Sequence, residues 1–192
     1  MSVSMNGMYE IRWHGRGGQG AISSAQILAQ AAYHAGFRGV TSAPSFGAER
    51  RGAPVTASTR LSPEPLRMFS QIERPDIVVV LDDTLLECAD ATGGLKEGGW
   101  LIINSHLAPK DLRLDGQFKI ATADATTVAR ELDLVIAGSV IVNTAMLGAL
   151  AKATGLVSLE NIHDTIMQKY SPTLARKNYD AARITFERTL LD

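Results

Sequence analysis

The chain has 192 residues, of which 45% are hydrophobic and 20% charged, and its formal net charge is −1. These proportions are typical of a folded globular domain and argue against a disordered chain, a basic nucleic-acid-binding surface and a polybasic membrane arm. The single cysteine, Cys88, excludes an internal disulfide and a cysteine-ligated metal or iron–sulfur cluster built by this chain alone.

The sequence shows no segment typical of secretion or membrane insertion. Residues 1–8 are polar, lack the apolar core of a signal peptide and are expected to be flexible. The most apolar segment, Val135–Ala151, has 17 residues, fewer than the roughly 20 that cross a bilayer, and it contains Ser139 and Asn143. We therefore interpret that segment as a buried helix and expect a single cytoplasmic domain over residues 1–192, with neither a membrane nor a nucleic acid as partner.

The chain opens with a strand, a glycine-rich turn and a helix. Tyr9–Trp13 alternates like a strand, and Gly15–Gly20 follows it. Alanine and leucine then recur at helical spacing over Ala21–Gly36, where the final glycine is a plausible stop. A short second strand is predicted at Val40–Thr41, and a long exposed loop over Ala43–Pro54, which is rich in proline and glycine.

Strands and helices alternate along the rest of the chain. The β-branched run Ile77–Leu81 predicts a central strand covered on both faces, and Thr84 with Glu87 fits a capping box for the helix behind it. Asp124 is expected to cap a helix that reaches Leu132. Further strands are predicted at Val55–Leu61, Trp100–Asn104 and Phe118–Thr122, and further helices at Val140–Ala153, Leu159–Tyr170 and Ala175–Leu190. This order predicts a three-layer α/β/α domain with a mostly parallel sheet and a helical C-terminal part.

The glycine-rich turn is the first candidate site. Gly15, Gly17 and Gly20 satisfy the G-x-G-x-x-G pattern between a strand and a helix, where glycines let the backbone approach a ligand and the start of the helix attracts an anion. A dinucleotide site also requires an acidic residue about twenty positions further on. The sequence has no acid there before Glu49. NAD binding is therefore disfavoured, while an anion site and a turn built only for packing both stay open.

The second candidate is the arginine pair Arg50–Arg51 in the long loop. Guanidinium groups on a loop suit phosphate or carboxylate recognition through paired hydrogen bonds. A solvated pair neutralised by Glu49, or a contact with a partner protein, explains the same residues equally well.

No catalytic or metal site emerges from the remaining residues. Asp82–Asp83 follows a central strand and could form a carboxylate pair, but helix capping is favoured. Cys88 is expected to be buried in the helix that follows. The histidines have no metal-ligand spacing and are interpreted as surface or turn residues: His14, His34, His106 and His163. An anion site without catalytic groups indicates a binding subunit rather than a self-sufficient enzyme.

Three long segments, taken together in this order, resemble the gamma subunit of 2-oxoacid:ferredoxin oxidoreductases. They are HGRGGQG over residues 14–20, PSFGAERRGAP over 44–54 and VNTAMLGALAKATG over 142–155. The resemblance runs from about Tyr9 to Phe186. The loop residues Glu49–Pro54 are most similar to the pyruvate or branched-chain oxoacid type, although alanine at position 48 stands where many relatives have proline.

The resemblance implies a role in a multi-subunit enzyme that decarboxylates pyruvate or a related 2-oxoacid. Coenzyme A takes the acyl group, and electrons pass through iron–sulfur clusters to ferredoxin. Thiamine diphosphate and the clusters are expected in partner alpha, beta and delta subunits, so the isolated chain is expected to be inactive and to bind no cofactor except the substrate coenzyme A. The expected coenzyme A contacts are Gly15, Arg16, Gly17, Gly18, Gln19, Gly20, Ser45, Phe46, Arg50 and Arg51.

Two alternatives accompany this hypothesis. The chain could be a purely structural scaffold subunit of the same complex, or a free-standing nucleotide-binding α/β protein. Asn143, early in an apolar helix, could orient the glycine turn through a hydrogen bond, but a core asparagine with satisfied hydrogen bonds is the favoured interpretation.

Overall fold

The computed structural model describes residues 7–44, 52–68 and 70–192 of the chain, so most of the segment predicted to be flexible, 1–8, lies outside the described residues. The strands are β1 (Tyr9–Arg16), β2 (Gly39–Pro44), β3 (Pro54–Ser62), β4 (Ile77–Val80), β5 (Trp100–Asn104), β6 (Lys119–Ala123), β7 (Val135–Ile136), β8 (Ser139–Val140) and β9 (Leu190–Leu191). The helices are α1 (Ala21–His34), α2 (Leu85–Cys88), α3 (Ala125–Glu131), α4 (Asn143–Thr154), α5 (Leu159–Lys169) and α6 (Pro172–Arg188).

Seven strands form one mixed sheet in the order β2-β3-β1-β4-β5-β6-β9. The four central strands β1, β4, β5 and β6 are parallel, while β2 and β3 on one side and β9 on the other are antiparallel to their neighbours. The predicted α/β class, with a parallel centre and a helical C-terminal part, is confirmed. The antiparallel edges were not predicted, because alternation of side chains marks a strand without giving the direction of its partner.

The two faces of this sheet are covered differently. Ile77, Val79 and Ile102 point to one face, where they join a large apolar cluster with α1, α3, α4, α5 and α6. Val78 and Ile103 point to the other face, which is covered by the four-residue helix α2 and by irregular chain. Every residue of β4 is buried, as the β-branched run predicts for a central strand between two layers.

Helices α4 and α6 pack closely at Gly148. A Cβ added there would lie 1.9 Å from the carbonyl oxygen of Ala182, so only glycine fits. The buried hydroxyl of Thr144 donates to Oδ1 of Asn178 at 2.8 Å and ties the two helices together. These contacts fix α4 against α6.

Two predicted helix boundaries are wrong. The apolar segment that begins at Val135 is not one helix, because Ala137 and Gly138 have φ of +49° and +82° and turn the chain back as the β7–β8 hairpin. Ile136 at this hairpin is 65% exposed, and α4 begins only at Asn143. At the C-terminus, Leu190–Leu191 pairs with β6 instead of extending α6, because an edge position on the sheet was available.

The structure also corrects three side-chain predictions. Thr84 and Glu87 do not form a capping box, because the Thr84 hydroxyl donates to Asp82. Cys88 is exposed, since α2 is too short to bury its last residue. His14 is buried in the sheet and is not a surface residue. By contrast, Asp124 accepts from the Thr127 N–H at 2.9 Å and caps α3 as predicted.

Within the described residues, none of the helices has the length and apolar character needed to cross a membrane.

Candidate functional site

The glycine turn lies where β1 ends and α1 begins. β1 extends through Arg16, three residues beyond its predicted end, because Gly15 still pairs with β3. A Cβ on Gly15 would lie 3.2 Å from both Ala21 and Leu81, so the turn packs tightly against the end of β4. Gly18 and Gly20 have φ of +101° and +92°, which explains glycine at both positions.

The far end of the long loop is hydrogen-bonded to this turn. The Gly17 N–H donates to the Ala53 carbonyl at 2.8 Å, and the Gly52 N–H donates to the Gly17 carbonyl at 3.0 Å. Arg16 Nη1 adds a bond to the Gly52 carbonyl at 3.2 Å. The predicted site residues of the loop itself, Ser45, Phe46, Arg50 and Arg51, lie outside the described residues. The structure therefore brings Gly15–Gly20 together with the loop's end. The expected coenzyme A contacts stay predictions, both in the turn and at these four positions.

Asp82, directly after Leu81 at the end of β4, is the centre of a polar network on the turn. Its Oδ2 accepts from Gln19 Nε2 at 2.9 Å and from Arg16 Nε at 3.2 Å. Its Oδ1 accepts from the main chain of Thr84 at 3.2 Å and also from the Thr84 hydroxyl. Gln19 completes the network, because its Oε1 accepts from the Arg16 N–H at 2.7 Å. Sequence reasoning assigned Asp82 to helix capping and missed this role, since the bonds join residues more than sixty positions apart.

The network keeps the Asp82 carboxylate ionised. Partial burial raises the pKa of this group, but the hydrogen bonds from Thr84 and Gln19 and the charge of Arg16 lower it more. The pKa of Asp82 therefore lies below its ordinary value. Arg16, one of the predicted ligand contacts, consequently has its guanidinium engaged by Asp82, Gly52 and Thr84.

A cavity of about 600 Å³ opens at the N-terminus of α1, and we call it the helix-end cavity. Its lining includes the turn glycines Gly18 and Gly20, the first turn of α1 and Arg16, which is the only charged residue among its described lining residues. The N-cap residue of α1 is Gly20, which has no side chain to cap the helix. The first N–H groups of an α-helix have no partner within the helix, so this end of α1 carries the kind of donor that an anion needs.

A second cavity of about 690 Å³ lies on the other side of the turn, above the carboxyl ends of the parallel strands. We call it the strand-end cavity. Among its described lining residues, carboxylates outnumber guanidinium groups: the charged ones are Asp82, Asp83, Asp124, Arg16 and Arg130. Sequence reasoning missed Arg130. The signal that could have revealed it is its place on α3, the helix that follows the end of β6.

Asn143 belongs to the wall of the glycine turn. It is buried, its Oδ1 accepts from the Thr144 N–H at 2.8 Å, and its side chain is so close to Gly20 that a Cβ there would lie 2.9 Å from Asn143 Cβ. Ser24 Oγ donates to the Gly20 carbonyl at 3.1 Å and contacts the Asn143 carbonyl at 3.4 Å. Asn143 is thus a core asparagine that shapes the turn by packing.

His14, which is buried, and Arg12, which is partly buried, form a pair on the thinly covered face of the sheet. Arg12 Nε donates to His14 Nε2 at 3.0 Å, so the imidazole is a neutral acceptor. Burial, followed by the charge of Arg12, lowers the pKa of His14 to about 4. No group of three or more histidine, cysteine or acidic side chains in the part of the chain that the structure describes could hold a metal ion.

Comparison with known proteins agrees with this architecture. The family model described as pyruvate ferredoxin/flavodoxin oxidoreductase matches residues 10–188. The pyruvate/ketoisovalerate oxidoreductases common subunit gamma of Thermococcus litoralis is 49% identical over 187 residues, which cover 96% of this chain and 98% of that protein. The pyruvate synthase subunit PorC of Methanothermobacter marburgensis is 45% identical, with 94% of this chain and 97% of that protein covered.

A solved structure extends the comparison to the fold. The pyruvate oxidoreductase subunit PORC of Thermotoga maritima superposes with a TM-score of 0.83 at 38% identity, over 97% of this chain and 99% of that chain. The match covers the sheet, the glycine turn and the helical C-terminal part together. The chain therefore belongs to the pyruvate ferredoxin/flavodoxin oxidoreductase family, in which it is a gamma subunit of a multi-subunit enzyme complex.

Proposed function

We propose that this gamma subunit contributes to coenzyme A binding beside the thiamine diphosphate site of the assembled enzyme. The observation that carries the proposal is the helix-end cavity, which combines the start of α1, where the N-cap is Gly20, with Arg16 and has no carboxylate among its described lining residues. Such a cavity favours an anion, because the first N–H groups of a helix have no partner within the helix and the positive end of the helix dipole lies there. Its volume of about 600 Å³ also lies within the range of small-molecule sites.

Arg50 and Arg51 supply the remaining positive charge in this proposal. The residue that follows them, Gly52, is hydrogen-bonded to Gly17, so the chain returns to the glycine turn directly after the arginine pair. Guanidinium groups there would pair with coenzyme A phosphates, while Ser45 and Phe46 from the same loop would contact the ligand. Arg16, already paired with Asp82, would contribute mainly to the shape of the site.

The proposal also includes the partners that the resemblance implies. In this proposal the alpha, beta and delta subunits hold thiamine diphosphate and the iron–sulfur clusters, ferredoxin accepts the electrons, and the complex works in the cytoplasm on pyruvate or a related 2-oxoacid. The gamma subunit supplies binding and orientation, and no residue of this chain takes part in the decarboxylation itself.

The test is the double variant Arg50→Ala/Arg51→Ala in the assembled complex. We expect the KM for coenzyme A to rise about tenfold or more, because each lost charge-assisted hydrogen bond is worth about 1.5–3 kcal/mol. The KM for pyruvate should stay unchanged. Arg38→Ala is the matched control, since Arg38 is an exposed arginine at the opposite end of β2. An unchanged KM for coenzyme A in the double variant would contradict the proposal.

A scaffold role is the second candidate, and the β7–β8 hairpin is the observation that favours it. Val135 and Ile136 are large apolar residues that are 43% and 65% exposed. Exposed apolar patches often mark protein–protein contacts. If the chain is only a scaffold, Val135→Ser, at a residue that does not line the helix-end cavity, should lower the yield of assembled complex. The Arg50→Ala/Arg51→Ala variant should then leave the KM for coenzyme A unchanged.

A further inference from the structure

Residues of the glycine turn face two different cavities. Gly18 and Gly20 line the helix-end cavity, whereas Gln19 between them lines the strand-end cavity. Gln19 is bonded through the main chain to both glycines, so a restraint on Gln19 also restrains the two peptide groups beside it. Any group that holds Gln19 in place also holds the main chain that the proposed anion would contact.

Asp82 is the group that holds Gln19. Its Oδ2 accepts from Gln19 Nε2 at 2.9 Å, and Gln19 Oε1 accepts from the Arg16 N–H at 2.7 Å. The amide of Gln19 is therefore fixed at both of its polar atoms, by β4 on one side and by the turn itself on the other. A side chain fixed in this way loses no further freedom when a ligand binds.

Asp82 also fixes the position of the positively charged Arg16 guanidinium at the turn. Its Oδ2 lies 3.2 Å from Arg16 Nε, and Arg16 Nη1 in turn donates to the Gly52 carbonyl at 3.2 Å. One carboxylate thus connects the strand end, the turn and the end of the long loop. It does this from the strand-end cavity, outside the proposed coenzyme A site.

We propose that Asp82 is a positioning residue for coenzyme A, which acts through Gln19 and Arg16 without contacting the ligand. This inference rests on the proposed function of the helix-end cavity. Asp82 holds the turn with Gly18 and Gly20 directed into that cavity before the ligand arrives. Loss of its charge should weaken coenzyme A binding and leave the chemistry at the partner subunits unaffected.

The test compares Asp82→Asn with Asp83→Asn in the assembled complex. Asp83 is the matched control, because it lines the same strand-end cavity while its carboxylate makes none of the bonds to the turn. We expect Asp82→Asn to raise the KM for coenzyme A about tenfold and to change kcat and the KM for pyruvate by less than about twofold. Asp83→Asn should change none of the three values.

A second variant tests the route of the effect. Gln19→Leu keeps Asp82 but removes the amide link, and it should also raise the KM for coenzyme A. Because both changes break one connection, the double variant Asp82→Asn/Gln19→Leu should be no worse than the more severe single variant. Fully additive effects of the two changes would overturn the proposed route.

The outcomes separate this inference from the proposed function. If Arg50→Ala/Arg51→Ala raises the KM for coenzyme A and Asp82→Asn does not, the positioning role is wrong and the binding site stands. If neither variant changes that KM, the coenzyme A site itself is wrong. If Asp82→Asn lowers kcat and raises the KM for pyruvate to the same degree, Asp82 is a general structural residue and the inference fails.

Discussion

The two faces of the sheet are stabilised by different kinds of interaction. One face carries a thick layer of five helices, whose contacts are mainly apolar and close enough to require glycine where α4 crosses α6. The other face has a small apolar cluster under α2 and irregular chain, and it relies on polar bonds from Arg12 to the main chain. Apolar burial stabilises without regard to direction, whereas hydrogen bonds fix particular chain segments in place. We expect the thick face to determine global stability and the thin face to respond to pH and to single polar changes.

The largest expected effect is at the thick face. Gly148→Val should destabilise the chain by about 3 kcal/mol or more, because the added Cβ meets the Ala182 carbonyl at 1.9 Å and the helices must move apart. Urea unfolding of the purified chain measures this change. Gly7→Val is the control, since a Cβ at Gly7 meets nothing within 4 Å. Equal stabilities of the two variants would show that the α4–α6 crossing does not limit stability.

The second effect is the pH response of the thin face through His14. Its pKa falls from 6.5 to about 4 on folding, so the folded state favours the neutral ring and stability is lost as pH falls from about 6.5 towards 4. The shift corresponds to about 3 kcal/mol at the acidic end, at about 1.4 kcal/mol per pKa unit.

Urea unfolding at several pH values measures this response. His14→Gln should flatten the stability profile between pH 6.5 and 4, because the titrating group is gone. His34→Gln, at an exposed position at the end of α1, should show the same dependence of stability on pH as the unaltered chain. A steep profile that persists in His14→Gln would assign the acid response to other groups.

The smallest effect should come from Arg12→Lys. Arg12 Nη2 donates to the Ala91 carbonyl at 3.1 Å and also to the Gly93 carbonyl, and a lysine cannot reproduce this geometry together with the bond to His14. We expect a loss of about 1–2 kcal/mol and faster hydrogen exchange confined to the segment around these carbonyls. Arg38→Lys, at an exposed arginine, is the control. Faster exchange spread over α4 and α6 would contradict the division between the faces.

The contrast between the faces also explains which predictions succeeded. Strand β4 was located from its continuous β-branched run, because all of its residues are buried. Helices α5 and α6 were located from apolar periodicity, because each buries one face. Cys88 and His14 were misplaced because their burial depends on what covers the thin face, and irregular chain leaves no periodic pattern. The β7–β8 hairpin was missed because its apolar residues look like helix core, and only the turn at Ala137 and Gly138 separates it from α4.

For the candidate site, the sequence by itself determined the α/β class, the place of the glycine turn between β1 and α1, and the family, since these depend on residues close together in the chain. Only the tertiary structure decided what the turn faces. Asp82 meets Gln19 and Arg16 across more than sixty residues, and Asn143 meets Gly20 across more than a hundred. Such contacts arise because parallel strands bring their carboxyl ends to one edge of the sheet, a geometry that local sequence patterns do not encode.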